Sequence, residues 1–167
     1  GLNNATISNP VASPTVTTGY SVTVTDGYGC QGNGTVRVGV NPLPIVTTNS
    51  SQAICSGTTA QLNASGGVSY SWSPSTGLRN PTASNPVAKP RATTTYTVVA
   101  TDVNGCTSTG STMITVNPLP VVAVSSNTEI CGNTSTQLTA SGGTAYLWSP
   151  STGLNNAAVC NPIASPL

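Results

Sequence analysis

The chain has 167 residues, of which four are Lys or Arg, three are Asp or Glu and none is His, for a net charge of +1. Charge this sparse argues against nucleic acid as a partner, because a phosphate-binding surface needs clustered Lys and Arg. The five cysteines include no Cys-x-x-Cys pair and have no His beside them, so they do not read as a zinc site. Val121 to Val124 is among the longest apolar runs and is far too short to span a bilayer. The opening Gly1-Leu2-Asn3-Asn4 has the composition of a loop and is not read as a signal peptide. Abundant Val, Thr and Ile, punctuated by Gly, Pro and Asn, predict an all-β chain of short strands and tight turns.

Period-two alternation places the strands. Tyr20, Val22 and Val24 form one face of a long strand that turns at Asp26 to Cys30, and Val36, Val38 and Val40 line the strand that returns. Asn41-Pro42-Leu43-Pro44 follows as a linker, then a short strand over Ile45 to Thr48. Ala60, Leu62 and Ala64 alternate toward a hairpin turn at Gly66-Gly67. Val68, Tyr70 and Trp72 then face inward, with Ser69 and Ser71 toward water. The proline-rich stretch from Pro74 to Pro90 reads as loop plus an edge strand around Pro86 to Lys89. Tyr96, Val98 and Ala100 mark a second long inward-facing strand, which turns at Asp102-Val103-Asn104-Gly105. Thr112, Ile114 and Val116 face inward on the strand that follows.

These elements repeat. Trp72 and Trp148 lie 76 residues apart, as do Tyr70 and Tyr146, Cys55 and Cys131, Tyr20 and Tyr96, Cys30 and Cys106, and the two Asn-Pro-Leu-Pro runs at Asn41 and Asn117. No gap is needed, which is the signature of a tandem array. Residues 1–41 then match the C-terminal part of a repeat, 42–117 form one complete repeat, and 118–167 match the N-terminal part of the next. About seven short strands per repeat predict an immunoglobulin-like β-sandwich. A partial sandwich cannot bury its sheet face alone. The chain is therefore read as a segment of a longer polypeptide, with complementation of partial units by neighbouring copies as the alternative.

The Tyr-x-Trp strand, the Thr-Tyr-Thr-Val strand at Thr95, the Thr-Asp-x-x-Gly-Cys turn, the Asn-Pro-Leu-Pro linkers and the Cys55-Ser56-Gly57 run together resemble PKD-like repeats of Bacteroidota surface proteins. The resemblance covers the whole chain. It implies a tandem β-sandwich fold, an extracellular, cell-surface location and secretion by the type IX route, in adhesins or in multidomain hydrolases. One departure stands out. The acidic loop that follows Trp in PKD domains proper is Ser73-Pro74-Ser75-Thr76-Gly77 here, so any property tied to that loop is not carried over.

The candidate chemistry is thin. Trp72, Trp148, Tyr70 and Tyr146 are either sugar-stacking rings or core anchors; alternation puts them on the core face, with Tyr20 and Tyr96. Asp26 and Asp102 are period-mates, too far apart for paired-carboxylate chemistry, and read as turn caps. No acid cluster suggests calcium, and no His is available to activate a Ser or Thr, so no catalytic residue, metal or cofactor is expected. Arg79, Lys89 and Arg91 form a small basic cluster absent from the corresponding positions of the other units, and are read as solvated surface.

Cys30, Cys55, Cys106 and Cys131 are disulfide candidates. Pairing Cys55 with Cys106 closes a loop inside the complete repeat; pairing each with a cysteine of an adjacent repeat staples neighbours, and both remain open. Cys160, whose counterparts are Ser84 and Ser8, pairs with Cys131 or stays free. The expected function is a structural repeat segment of a long extracellular fibre, filament or adhesin stalk. Its partners are neighbouring repeats, identical chains, or a glycan or surface ligand. The alternative is a spacer or carbohydrate-binding accessory module of a secreted polysaccharide hydrolase.

Overall fold

The computed structural model describes residues 1–166; Leu167, the last residue of the third expected segment, lies outside them. Two compact units divide the chain, Gly1–Val116 and Asn117–Leu167, so residues 1–41 fall in the same unit as the complete repeat. Every regular element among the described residues is a strand.

The first unit opens with a hairpin of β1 (Thr18–Thr25) and β2 (Gln31–Val38). Then come β3 (Thr47–Thr48), β4 (Gln52–Cys55), β5 (Ala60–Gln61), β6 (Ala64–Ser65), β7 (Ser69–Ser73), β8 (Leu78–Arg79), β9 (Val87–Ala88), β10 (Thr94–Thr101) and β11 (Thr107–Asn117). One sheet has the order β4-β11-β10-β7; facing it are the pair β3-β6 and the three-stranded β5-β9-β8. Backbone N–H groups of Leu62 and Ala64 donate to the carbonyls of Pro86 and Ser84, so β5 and β6 line up as one interrupted strand beside β9.

Alternation along β10 builds the core. Tyr96, Val98 and Ala100 are fully buried, while Thr95, Thr97 and Val99 on the other face are exposed. Ala60, Leu62, Trp72, Ala88 and Ile114 complete the buried core, with Val46, Ile54, Tyr70 and Leu78 among the residues packed against it. This is an immunoglobulin-like β-sandwich, the all-β class that the alternation predicts.

Two local expectations need correction. Val68 is 65% exposed rather than inward-facing, because β7 starts only at Ser69 and Val68 sits on the turn that precedes it. That turn is tight: Gly66 has φ 98°, and a Cβ there would run into the carbonyl oxygen of Ile45. The strand near Pro86 is not an edge: β9 lies between β5 and β8, and the edge falls on β8. Pro86 and Pro90 flank β9 and leave its own N–H groups free to pair on both sides.

The β1–β2 hairpin repeats the register of β10–β11, with Thr18 opposite Val38 as Thr94 is opposite Ile114. Its inner face is not a core. Tyr20 is half-buried, and Val22, Val24 and Val36 are 56, 62 and 63% exposed, because among the described residues no second sheet lies over them. In the second unit, β12 (Ala123–Val124) pairs with β14 (Ala140–Ser141), and β13 (Thr136–Gln137) with β15 (Ile163–Ala164). Trp148 and Leu138 are half-buried there, whereas their counterparts Trp72 and Leu62 are buried.

Candidate functional site

The Tyr-x-Trp block is tied into the sandwich by hydrogen bonds to main chain. The Trp72 indole is 3% exposed, and its Nε1–H donates to the Ala83 carbonyl at 3.0 Å. Its own backbone N–H donates to the Pro81 carbonyl at 2.9 Å, which folds the proline-rich stretch over the ring. The Tyr70 hydroxyl closes onto its own turn, donating to the Gly67 carbonyl at 2.7 Å. From β10, the Tyr96 hydroxyl donates to the Thr76 carbonyl at 3.1 Å, and burial pushes the Tyr96 phenol above its ordinary pKa. Gly77, with φ 76°, brings the loop so close to β9 that a Cβ would stand 2.9 Å from the Lys89 carbonyl oxygen. The Ser-Pro-Ser-Thr-Gly loop is thus a strap across the core. Trp72 offers no free face on which a sugar ring can stack.

Trp148 copies this arrangement, with Nε1–H donating to the Val159 carbonyl at 2.8 Å, and the Tyr146 hydroxyl donating to the Gly143 carbonyl at 2.7 Å. Both rings are half-buried.

Asp26 and Asp102 are held at the hairpin turns. Asp102 Oδ1 accepts from the N–H groups of Asn104 and Cys106, both at 2.8 Å; Asp26 Oδ1 accepts from Tyr28 and Cys30 at 2.8 and 2.9 Å. The carboxylates therefore serve the Asx-type turn that Gly105 and Gly29 complete with positive φ.

At the C-terminal end of the sandwich, an open cleft of about 1000 Å³ is lined by Ser56, Thr76, Lys89, Arg91 and Thr94 among others. It gathers two of the chain's four cations and no carboxylate. Lys89 and Arg91 are exposed, and Arg79 lies on β8 outside the cleft lining.

All five cysteines are free thiols, Cys106 half-buried and Cys30, Cys55, Cys131 and Cys160 exposed. Cys55 directly precedes Ser56 and Gly57, which share the cleft with Thr94 at the start of β10. Cys106 is bound to Asp102, just past the other end of that strand.

One feature of the site escapes pattern reading. The Tyr20 hydroxyl is buried with no hydrogen-bond partner among the described residues, although the same hydroxyl on Tyr96 has one. The alternation that marks Tyr20 as inward-facing does not reveal that its acceptor is missing.

The fold thus defines an immunoglobulin-like β-sandwich protein. Residues 43–120 match the family described as "Ig-like domain CHU_C associated", a span close to the complete repeat. The match supports the immunoglobulin-like part of the resemblance; it does not extend to the PKD-like label. No curated protein matches the chain. Among solved structures, the chain is similar to "Protocadherin Gamma B7 extracellular cadherin domains 1-4", at 14% identity and a TM-score of 0.37, covering 92% of this chain and 49% of that one. The chain therefore spans about half the length of that structure. Immunoglobulin-like domains are typically non-catalytic modules of structural or adhesive type, common in cell-surface proteins. No helix among the described residues is long and apolar enough to cross a membrane.

Proposed function

We propose that this chain is a run of structural repeats from a long extracellular fibre, filament or adhesin stalk on a bacterial cell surface, and that it has no catalytic role. The observation that carries the reading is the gapless 76-residue spacing of Trp72 and Trp148, Cys55 and Cys131, and the Asn-Pro-Leu-Pro runs. The geometry of the complete sandwich supports it. Ile45, at the start, abuts Gly66, whose neighbour Gly67 abuts Thr101 at one end of β10; Thr94, at the other end, pairs with Ile114 shortly before the chain leaves. β10 is about 26 Å long at ~3.3 Å per residue, so the chain enters and leaves at opposite ends. Units joined this way add length, and two prolines per linker limit flexing.

The resemblance to Bacteroidota surface repeats supports type IX secretion and a cell-surface location. Neighbouring repeats and identical chains are the partners of such a fibre. Electron microscopy of the full-length polypeptide tests the reading: rods with an axial rise of roughly 35 to 40 Å per unit are expected, and compact globules would sink it. The accessory carbohydrate-binding alternative needs an exposed stacking ring, and Trp72 is buried. Its spacer version uses the same rod and differs only in what the rest of the polypeptide carries.

A further inference from the structure

The open cleft of about 1000 Å³ sits where β10 begins, and every residue lining it lies between Ser56 and Thr94, inside the complete repeat. Its charge is one-sided. Within residues 42–117 the cations are Arg79, Lys89 and Arg91, and the carboxylate is Asp102. Asp102 lies just past Thr101, at the far end of β10, about 26 Å away. Its Oδ1 is already held by the N–H groups of Asn104 and Cys106. Among the described residues no carboxylate lines the cleft beside Lys89 and Arg91.

Pro90 sets how these two cations stand. It is buried, whereas Lys89 and Arg91 on either side are exposed, so both side chains leave the backbone toward solvent. Their Cα atoms are at most about 7 Å apart. From that spacing two long side chains can close on one anionic group, the guanidinium as a planar fork and the ammonium as a point charge.

Two glycine turns bring neutral donors to the same cleft. Thr58 N–H donates to the Cys55 carbonyl at 3.1 Å, and Leu78 N–H donates to the Ser75 carbonyl at 3.0 Å. Gly57 and Gly77 are third in these turns, with φ 87° and 76°, the type II pattern. Neither glycine N–H has an acceptor among the described residues. For Gly77 the direction follows from the core. The Thr76 carbonyl accepts from the buried Tyr96 hydroxyl, and a trans peptide sends its N–H the opposite way. The Gly77 N–H therefore points away from the core, from a residue that lines the cleft. Ser56 and Thr76 add side-chain hydroxyls to the lining, and Pro74, Pro90 and Ala92 add apolar wall.

We infer that this cleft binds an acidic sugar of a polysaccharide chain, its anionic group between Lys89 and Arg91 and its hydroxyls on the two glycine turns. A neutral sugar needs an exposed ring to stack on, and the lining contains no aromatic side chain. An acidic peptide needs a pocket for an anchoring side chain or a row of free strand N–H groups. The donors here are isolated in two turns, which suits a ligand whose oxygens are spaced around a ring. The charge belongs to this repeat and not to the period. Asn3 and Asn155 stand at the position of Arg79, Ser13 and Ser165 at that of Lys89, and Thr15 at that of Arg91. A common scaffold thus carries a contact particular to one repeat. The inference goes beyond the fibre reading, since a rod needs no ligand.

The test is calorimetric titration of the whole chain with polygalacturonate and with dextran sulfate, at low and high salt. Fully methyl-esterified polygalacturonate, poly-glutamate and single-stranded DNA serve as comparisons. At least one of the two acidic polysaccharides is expected to bind, more weakly as salt rises, and the esterified polymer is not. Lys89→Ala combined with Arg91→Ala should weaken binding at least about tenfold. Arg79→Ala removes an equal charge outside the lining and should change the affinity less than about twofold. Thr76→Val keeps the carbonyl that Tyr96 holds, removes only the hydroxyl, and should weaken binding severalfold. All four side chains are exposed, so these variants should fold normally, which circular dichroism checks.

No binding of either acidic polysaccharide at about 1 mM sugar units, or equal losses from Arg79→Ala and from the Lys89 and Arg91 pair, overturns the inference. So does binding of the esterified polymer, poly-glutamate or DNA as tight as that of the acidic polysaccharides. Rods in electron microscopy are expected in every case, so each of those results leaves the fibre reading standing.

Discussion

Cys55 and Cys106 stand at opposite ends of the same sandwich. Cys55 adjoins the cleft beside Thr94, where β10 begins, and Cys106 accepts the backbone N–H of Asp102, just past Thr101, where β10 ends. Eight residues of extended chain place these ends about 26 Å apart, against the roughly 4.4 to 6.8 Å between Cα atoms that a disulfide needs. Oxidised protein is therefore expected to yield no Cys55–Cys106 peptide on non-reducing proteolysis and mass spectrometry. Cys55→Ser should leave the stability of the complete sandwich unchanged within about 0.5 kcal/mol. Recovery of that peptide in good yield from folded protein contradicts the topology.

Gly66 is expected to resist substitution. Its φ of 98° lies in the left-handed region, and the space where a Cβ would go is taken by the Ile45 carbonyl. Gly66→Ala combines backbone strain with a clash against main chain, so a loss of at least about 2 kcal/mol is expected in urea unfolding. Gly57→Ala is the control: its φ is 87°, but nothing lies within 4 Å of its Cβ position, so only the backbone term applies. Equal losses at both sites would mean that the Ile45 contact contributes nothing.

Tyr96 predicts an alkaline limit. Burial disfavours the phenolate, so the pKa in the folded chain is raised above its unfolded value near 10. The stability this contributes is complete below about pH 10 and is lost as pH rises above it. Tyr96→Phe should remove that alkaline loss while costing about 1 kcal/mol at neutral pH, from the broken bond to Thr76. Thermal unfolding at pH 7 and pH 11, wild type against variant, separates the two effects.

Trp72 and Trp148 share their hydrogen bonds but not their burial. Trp72→Ala empties the centre of a closed core and should cost about 3 to 5 kcal/mol. Trp148→Ala, in a unit whose ring is half-buried, should cost less and leave the unfolding of the first unit unaltered. Two-probe denaturation, following tryptophan fluorescence and far-UV circular dichroism, measures both.

The alternation of Tyr96, Val98 and Ala100, the Asp-x-x-Gly-Cys turns and the 76-residue spacing were legible in the residues alone, because strand period and turn chemistry are local. From these the all-β sandwich class follows. The same pattern marks Tyr20, Val22 and Val24 as inward-facing, and that is where local reading stops: alternation says which face a side chain takes, and only a second sheet makes that face an interior. Tertiary structure decided that Val68 lies on a turn, that β9 is central, and that Cys55 and Cys106 are kept apart. Each of these depends on what stands across a sheet or at the far end of a strand, on distances set by segments tens of residues apart.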